Sequence, residues 1–215
     1  MLHGNDKSGV DKEKGLLMKL SQRLGILKKL APVLTPTQLK SASHGIFTSK
    51  LLYCLPLYAN VWQDSDKDFR FIMFTKEDTR RLQVLQNRTL RLRTGLDMYT
   101  PTSKLLSTAK ELSVHQLAAF HTLLNVHKII KTGQPKALKS KITVRVPAED
   151  KPFPQRQFNS IRSANSFLSL ARSDFFCKGV KLWNTMPKEL QNIELYCPFK
   201  TKLRRWISEK ISVRP

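Results

Sequence analysis

Leu17, Leu20, Leu24 and Leu27 recur at spacings of three and four, and Leu30 or Ala31 continues the stripe. That period predicts an amphipathic helix over residues 16–30, with Lys19, Arg23, Lys28 and Lys29 mostly off the apolar face. Pro32 closes it, because a residue before proline avoids the helical region. Thr35 and Pro36 then open a second helix, Thr35 as N-cap and Pro36 in the first helical position, where its missing N–H costs nothing. Leu39, Ala42, Ile46, Ser49 and Tyr53 form its expected buried face, which runs on towards Trp62, with Pro56 kinking or ending the helix.

A polar connection over 63–76 separates this helix from a third one, over 77–95. At about 100° per residue, Leu82, Leu85, Thr89, Leu92 and Leu96 fall in one narrow arc. Arg80, Arg81, Arg88 and Arg91 gather on a neighbouring arc. The helix's acids, Glu77 and Asp78, stand at its start, where they suit the helix dipole, and Gly95 supplies the stop. The arginine arc reads either as a solvated face or as a surface that follows phosphates.

Thr100 and Pro101 repeat the Thr-Pro grammar and predict a short helix through Glu111. A long helix follows over 114–131, with Leu117, Phe120 or His121, Leu124, Val126 or His127, and Ile130 inward, ended by Gly133 and Pro135. Residues 142–146 alternate like a short strand, without an obvious partner nearby. Pro147, Pro152 and Pro154 mark a linker-like break. The last helix, over 199–211, has Phe199, Leu203, Trp206 and Ile207 on its inner face and Lys200, Lys202, Arg204 and Arg205 outside or at the margin. The fold class expected is mainly α, an irregular helical bundle divided into a polar flexible N-terminus (1–15), a helical domain (16–146), a Pro-rich linker (147–158) and a small helical C-terminal segment (159–215).

Composition gives these helices a probable class of partner only through charge. The 215 residues include 38 Lys+Arg against 16 Asp+Glu, a formal net charge of +22. Such an excess repels itself unless a polyanion is near, so nucleic acid or an anionic membrane comes first. With 40% hydrophobic residues, a wholly disordered basic tail is excluded. The charge is spread: no acid occurs from 14 to 63 or from 112 to 148. Residues 51–62 are uncharged but fall short of the roughly 18 apolar residues a spanning helix needs. The polar start of the chain does not read as a signal peptide. Cys54, Cys177 and Cys197 are too few and too scattered for a disulfide framework or a zinc knuckle. An intracellular protein, nuclear or cytoplasmic, is expected, with no membrane partner.

Chemistry-bearing patterns are missing from the sequence. There is no Gly-rich phosphate loop, His-Glu-x-x-His or Gly-x-Ser-x-Gly, and the acid pairs Glu77-Asp78 and Glu149-Asp150 have no credible third ligand for a two-metal centre. Asp64, Asp66 and Asp68 alternate like a calcium loop, but Phe69 stands where its glycine belongs and Thr75 where its closing glutamate belongs. His115, His121 and His127 are six apart, which spreads them around a helix instead of pairing two as ligands. No catalytic residue, metal or cofactor is expected.

Four blocks together carry a family resemblance. Leu20-Ser-Gln-Arg-Leu-Gly-Ile-Leu-Lys-Lys-Leu, followed by Leu51-Leu-Tyr-Cys and Trp62, resembles the region after the palm in non-LTR retrotransposon reverse transcriptases. Leu82-Gln-Val-Leu-Gln-Asn-Arg-Thr-Leu-Arg-Leu-Arg-Thr-Gly resembles that family's next helix. Gly179-Val-Lys-Leu-Trp-Asn-Thr-Met-Pro-Lys-Glu-Leu and the basic segment from Phe199 resemble its tail, with Met186 in place of the usual leucine. In order, from about residue 16 onward, they resemble the thumb and post-thumb region of jockey-like elements. The resemblance implies a thumb-like bundle that grips a template–primer duplex of RNA or DNA, working with a palm and an endonuclease that this chain lacks. Arg80, Arg81, Arg88 and Arg91, helped by Lys19, Arg23, Lys28 and Lys29, are the expected backbone contacts. Trp183 and Trp206 lie in apolar patterns that favour core packing over base stacking. Two other functions stay open: part of an active RNA-directed DNA polymerase whose palm lies upstream of Met1, and a membrane- or calmodulin-binding protein acting through the basic helix 16–30.

Overall fold

The chain is mainly helical, and each long helix stops where a residue of special backbone geometry falls. In the computed structural model the described residues are 8–53, 55, 61–63, 69–71, 76–139, 142–144, 161–163 and 175–210. The helices are α1 (Ser8–Leu30), α2 (Pro36–Ser43), α3 (Ser49–Leu52), α4 (Lys76–Thr94), α5 (Thr102–Ala109), α6 (Val114–Thr132), α7 (Lys136–Lys139), α8 (Phe175–Asn184), α9 (Lys188–Gln191) and α10 (Tyr196–Lys210). Two short antiparallel hairpins join them: β1 (Val61–Gln63) with β2 (Phe69–Phe71), and β3 (Ile142–Val144) with β4 (Ile161–Ser163). They pack as two compact units. The first comprises Met1–Leu55, Met73–Leu117 and Val213–Pro215, the second Pro56–Ile72 and Ala118–Ser212. The expected Pro-rich linker, 147–158, and the aspartates of 64–68 lie outside the described residues.

In the first unit α1 packs on α4, with Leu20, Leu24 and Leu27 fully or nearly fully buried. This is the stripe the leucine spacing predicts, although the helix begins at Ser8, ahead of the expected 16. Thr35 caps α2 reciprocally with Gln38: each backbone N–H finds the other's side-chain oxygen. Gly95 and Gly133 end α4 and α6 with φ of +69° and +68°, a conformation that costs glycine little. Lys110 does the same for α5 at φ +53°, without glycine's freedom.

The second helix departs from expectation. Its buried positions are Leu39, Ser43, Phe47, Leu51 and Leu55, whereas Ser49 and Tyr53 are exposed and Ala42 and Ile46 are only half-buried. A uniform spacing of four would drift by about 40° per step on an α-helix. The structure removes the drift with a π turn, His44–Thr48, in which the Ser49 N–H donates to the His44 carbonyl five residues back. The helix does not run on to Trp62, which lies in β1, paired with Arg70. Residues 142–144 also find a partner, in β4. Both hairpins are three residues per strand, too short for alternation alone to announce.

In the second unit α6 is buried almost all round, from Ala118 to Ile129. His127 stacks on Phe199 at a centroid distance of 3.9 Å, with Trp183 5.8 Å from the same ring. The His127 Nε2–H donates to the Ile193 carbonyl at 2.9 Å, and burial holds its pKa below the ordinary value. Trp183 is 2% exposed and therefore belongs to the core, while Trp206 is half-buried. Gly179 sits mid-helix in α8 because a Cβ there would come within 2.9 Å of the Val126 γ-methyl, so its absence lets α8 approach α6 closely.

Candidate nucleic-acid interface

The arginine face of α4 is positioned by amides on its other side. Gln83 donates from Nε2 to Gln86 Oε1 and Asn87 Oδ1, both at 2.9 Å, and accepts from the Val114 N–H at 3.0 Å. Gln86 donates to the Leu112 carbonyl and Asn87 to the Thr102 hydroxyl. Two of these three amides are buried, and together they tie α4 to the starts of α5 and α6. Leu82, Leu85, Thr89 and Leu90 bury the adjoining arcs, with Leu90 packed on Leu105, Leu106 and Ala109. Ser113 and Gln116 cap α6 reciprocally beside them.

Roughly half the circumference of α4 is thereby fixed inward. Within Glu77–Thr94 the exposed residues are Glu77, Arg80, Arg81 and Arg88. The Glu77 carboxylate accepts from Arg80 at 2.8 Å through both oxygens and from Arg81 at 3.0 Å. Those bonds pull its pKa down to about 2, so it stays ionised and holds both guanidiniums in place. Arg88 makes no hydrogen bond or ion pair among the described residues.

The remaining expected contacts divide in two. Lys19, Lys28 and Lys29 are exposed on α1. Arg23 and Arg91 are half-buried and engaged with backbone. Arg23 donates to the Ile46 carbonyl inside the π turn. Arg91 donates to the carbonyls of Asp97 and Thr100, at 3.2 and 3.0 Å. The Thr100-Pro101 repeat also resolves differently from Thr35-Pro36: Pro101 is the N-cap of α5 and no side chain caps it. The Thr100 carbonyl serves Arg91 instead.

Arg93 went unnoticed in the periodicity because it belongs to neither arc. Its side chain is 7% exposed and donates from Nη1 to Glu111 Oε1 at 3.2 Å and from Nη2 to the Ala109 carbonyl at 3.1 Å. Glu111, 13% exposed, also meets His44 Nε2 at 3.1 Å. Its signal was a basic residue on the apolar side of a helix wheel, a position that demands a partner.

Among the described residues no group of three or more His, Cys, Asp or Glu side chains is arranged to hold a metal. No described helix is long and apolar enough to cross a membrane. No protein-family model, curated protein or solved structure matches the chain.

Proposed function

We propose that this chain is a nucleic-acid-binding module of the kind the thumb region of a jockey-like reverse transcriptase provides, gripping the phosphate backbone of an RNA- or DNA-containing duplex. The observation that carries this reading is the surface of α4: apart from Glu77, every exposed residue from Glu77 to Thr94 is an arginine. A solvated helix face has no reason to exclude Ser, Gln, Lys and Glu from its exposed positions. A phosphate-following face does, since guanidiniums match phosphate geometry in a way that few other side chains can. Exposed Lys19, Lys28 and Lys29 on α1, a helix that packs on α4, add charge to the same unit.

In this reading Arg80, Arg81 and Arg88 contact phosphates directly. Arg91 and Arg23 support the surface from within. The contacts are to backbone and give affinity without reading sequence. Polymerase chemistry belongs to a palm, and this chain contributes grip.

The test is fluorescence anisotropy of the whole chain with RNA, DNA and hybrid duplexes across a salt series. A plot of log K against log salt should fall steeply, and Arg88→Ala should make it shallower by about 1. A folded chain that binds none of the duplexes at low salt refutes the proposal.

A further inference from the structure

Asp97–Thr100 forms a β-turn closed by the Thr100 N–H on the Asp97 carbonyl at 3.2 Å, and the Asp97 carboxylate accepts from the Met98 N–H. Met98 and Tyr99 occupy its two central positions, 71% and 84% exposed. One exposed apolar side chain is ordinary. Two large ones side by side at the apex of a braced turn are not. Leu96 anchors the turn's approach against the Leu90, Leu105, Leu106 and Ala109 cluster. Pro101, which begins α5, holds its exit. The Arg91 guanidinium clamps both end carbonyls, of Asp97 and Thr100.

We infer that the Met98–Tyr99 turn is a stacking platform for an unpaired nucleobase, placed beside the arginine strip that would hold the neighbouring phosphates. The inference rests on the backbone-gripping reading given above and adds what that surface recognises: a duplex with a single-stranded extension. Charge and geometry favour a nucleic acid over a protein as the occupant. Arg88 lies three residues before Arg91, about 4.5 Å along the helix, and Arg91 itself touches the turn. A strand whose phosphate meets Arg88 therefore passes the turn, where the ring of Tyr99 is free on both faces to accept a base. Backbone-only arginines cannot tell a blunt end from an overhang, whereas an aromatic ring can, because only an unpaired base offers a free face. The brace also lowers the ordering cost of binding, since the turn is already in the conformation that presents the ring. Arg91 is thus a positioning residue for Tyr99.

The experiment compares a blunt duplex with the same duplex carrying a short overhang that contains 2-aminopurine, using whichever duplex type the chain binds. The wild-type chain should bind the overhang form more tightly and quench its 2-aminopurine. Tyr99→Ala should weaken overhang binding about tenfold, to the blunt-duplex level, and abolish the quench. It should leave blunt-duplex affinity and its salt slope unchanged. Tyr99→Phe should keep the preference, and Arg88→Ala should weaken both substrates together. If Tyr99→Ala retains wild-type preference and quench, the platform is refuted while backbone binding stands. If the chain binds neither substrate, the backbone-gripping reading fails and the inference with it.

Discussion

Replacing Arg93 by methionine tests whether α4 is held by the buried charge pair at its end. The substitution keeps most of the volume and removes three things: the charge on Glu111's partner, the 3.2 Å Nη1–Oε1 contact, and the 3.1 Å bond to the Ala109 carbonyl. Breaking a buried pair from one side costs about 3–5 kcal/mol, because it leaves an uncompensated charge. Glu111 keeps His44 at 3.1 Å and is 13% rather than 0% exposed, so the lower end applies. The lost Ala109 bond adds about 1 kcal/mol. A destabilisation of about 3–4 kcal/mol is expected, a large part of the 5–15 kcal/mol typical of a folded chain. Urea unfolding followed by circular dichroism would measure it, with Arg93→Met/Glu111→Leu as the second arm. Removing both charges together replaces a desolvated pair with apolar packing, so the double variant should recover at least about 1.5 kcal/mol relative to Arg93→Met alone. The reasoning is refuted if Arg93→Met stays within about 0.5 kcal/mol of wild type, as a surface change does. It is refuted equally if the double variant is less stable than the single one.

Glu77→Gln frees Arg80 and Arg81 from a carboxylate that now occupies both, so nucleic-acid affinity should rise and the salt slope should steepen by about 1–2; an unchanged slope in the anisotropy titration counts against phosphate contact by these two arginines. Gly179→Ala should destabilise by about 1–3 kcal/mol despite alanine's better helix propensity, because its Cβ meets the stiff Val126 side chain; thermal melts would read it, and a rise in Tm opposes the packing argument. Burial holds the His115 pKa at about 4 against an ordinary 6.5. The folded state therefore binds fewer protons than the unfolded one between those values, and stability should fall as pH drops from 6.5 towards 4. His121 and His127, also lowered by burial, add to the same trend. In urea titrations at several pH values, His115→Gln should flatten the dependence, and a slope unaltered by that change refutes the assignment.

How much of this was legible in the sequence depends on whether a feature is local. Helix ends were readable at Gly95, Gly133 and Thr35, since a positive φ or a cap is set by one or two residues. The inner face of α1 was readable because its spacing matches an unmodified α-helix. The inner face of the second helix was not. A spacing of four fits an α-helix poorly, and alternating threes and fours instead drew in Ala42, Ile46, Ser49 and Tyr53, none of which is buried. Arginines could be assigned to a face but not to a task. Arg88 and Arg91 share an arc, yet one is exposed and the other spans to a turn nine residues on. The partners of Arg93 and Gln86 lie 18 and 26 positions away, a separation that no helical period encodes. The Met98–Tyr99 turn was likewise invisible, because what marks it is the contrast between a braced backbone and two bare side chains.

The π turn at His44–Thr48 makes the second helix unequal in its response to insertion and deletion. A wide turn is an α-helix carrying one residue too many, absorbed locally. Loss of a residue within the turn, Gly45 for instance, would let it relax to an ordinary helix while Leu51 and Leu55 kept facing inward. The same loss a turn later would rotate everything beyond it by about 100° and carry Leu55 out of the core. Arg23 marks which of the two arrangements is in force, since its hydrogen bond to Ile46 is made on the wide turn itself. Length along this helix is therefore free to vary by one residue at the turn, and fixed elsewhere.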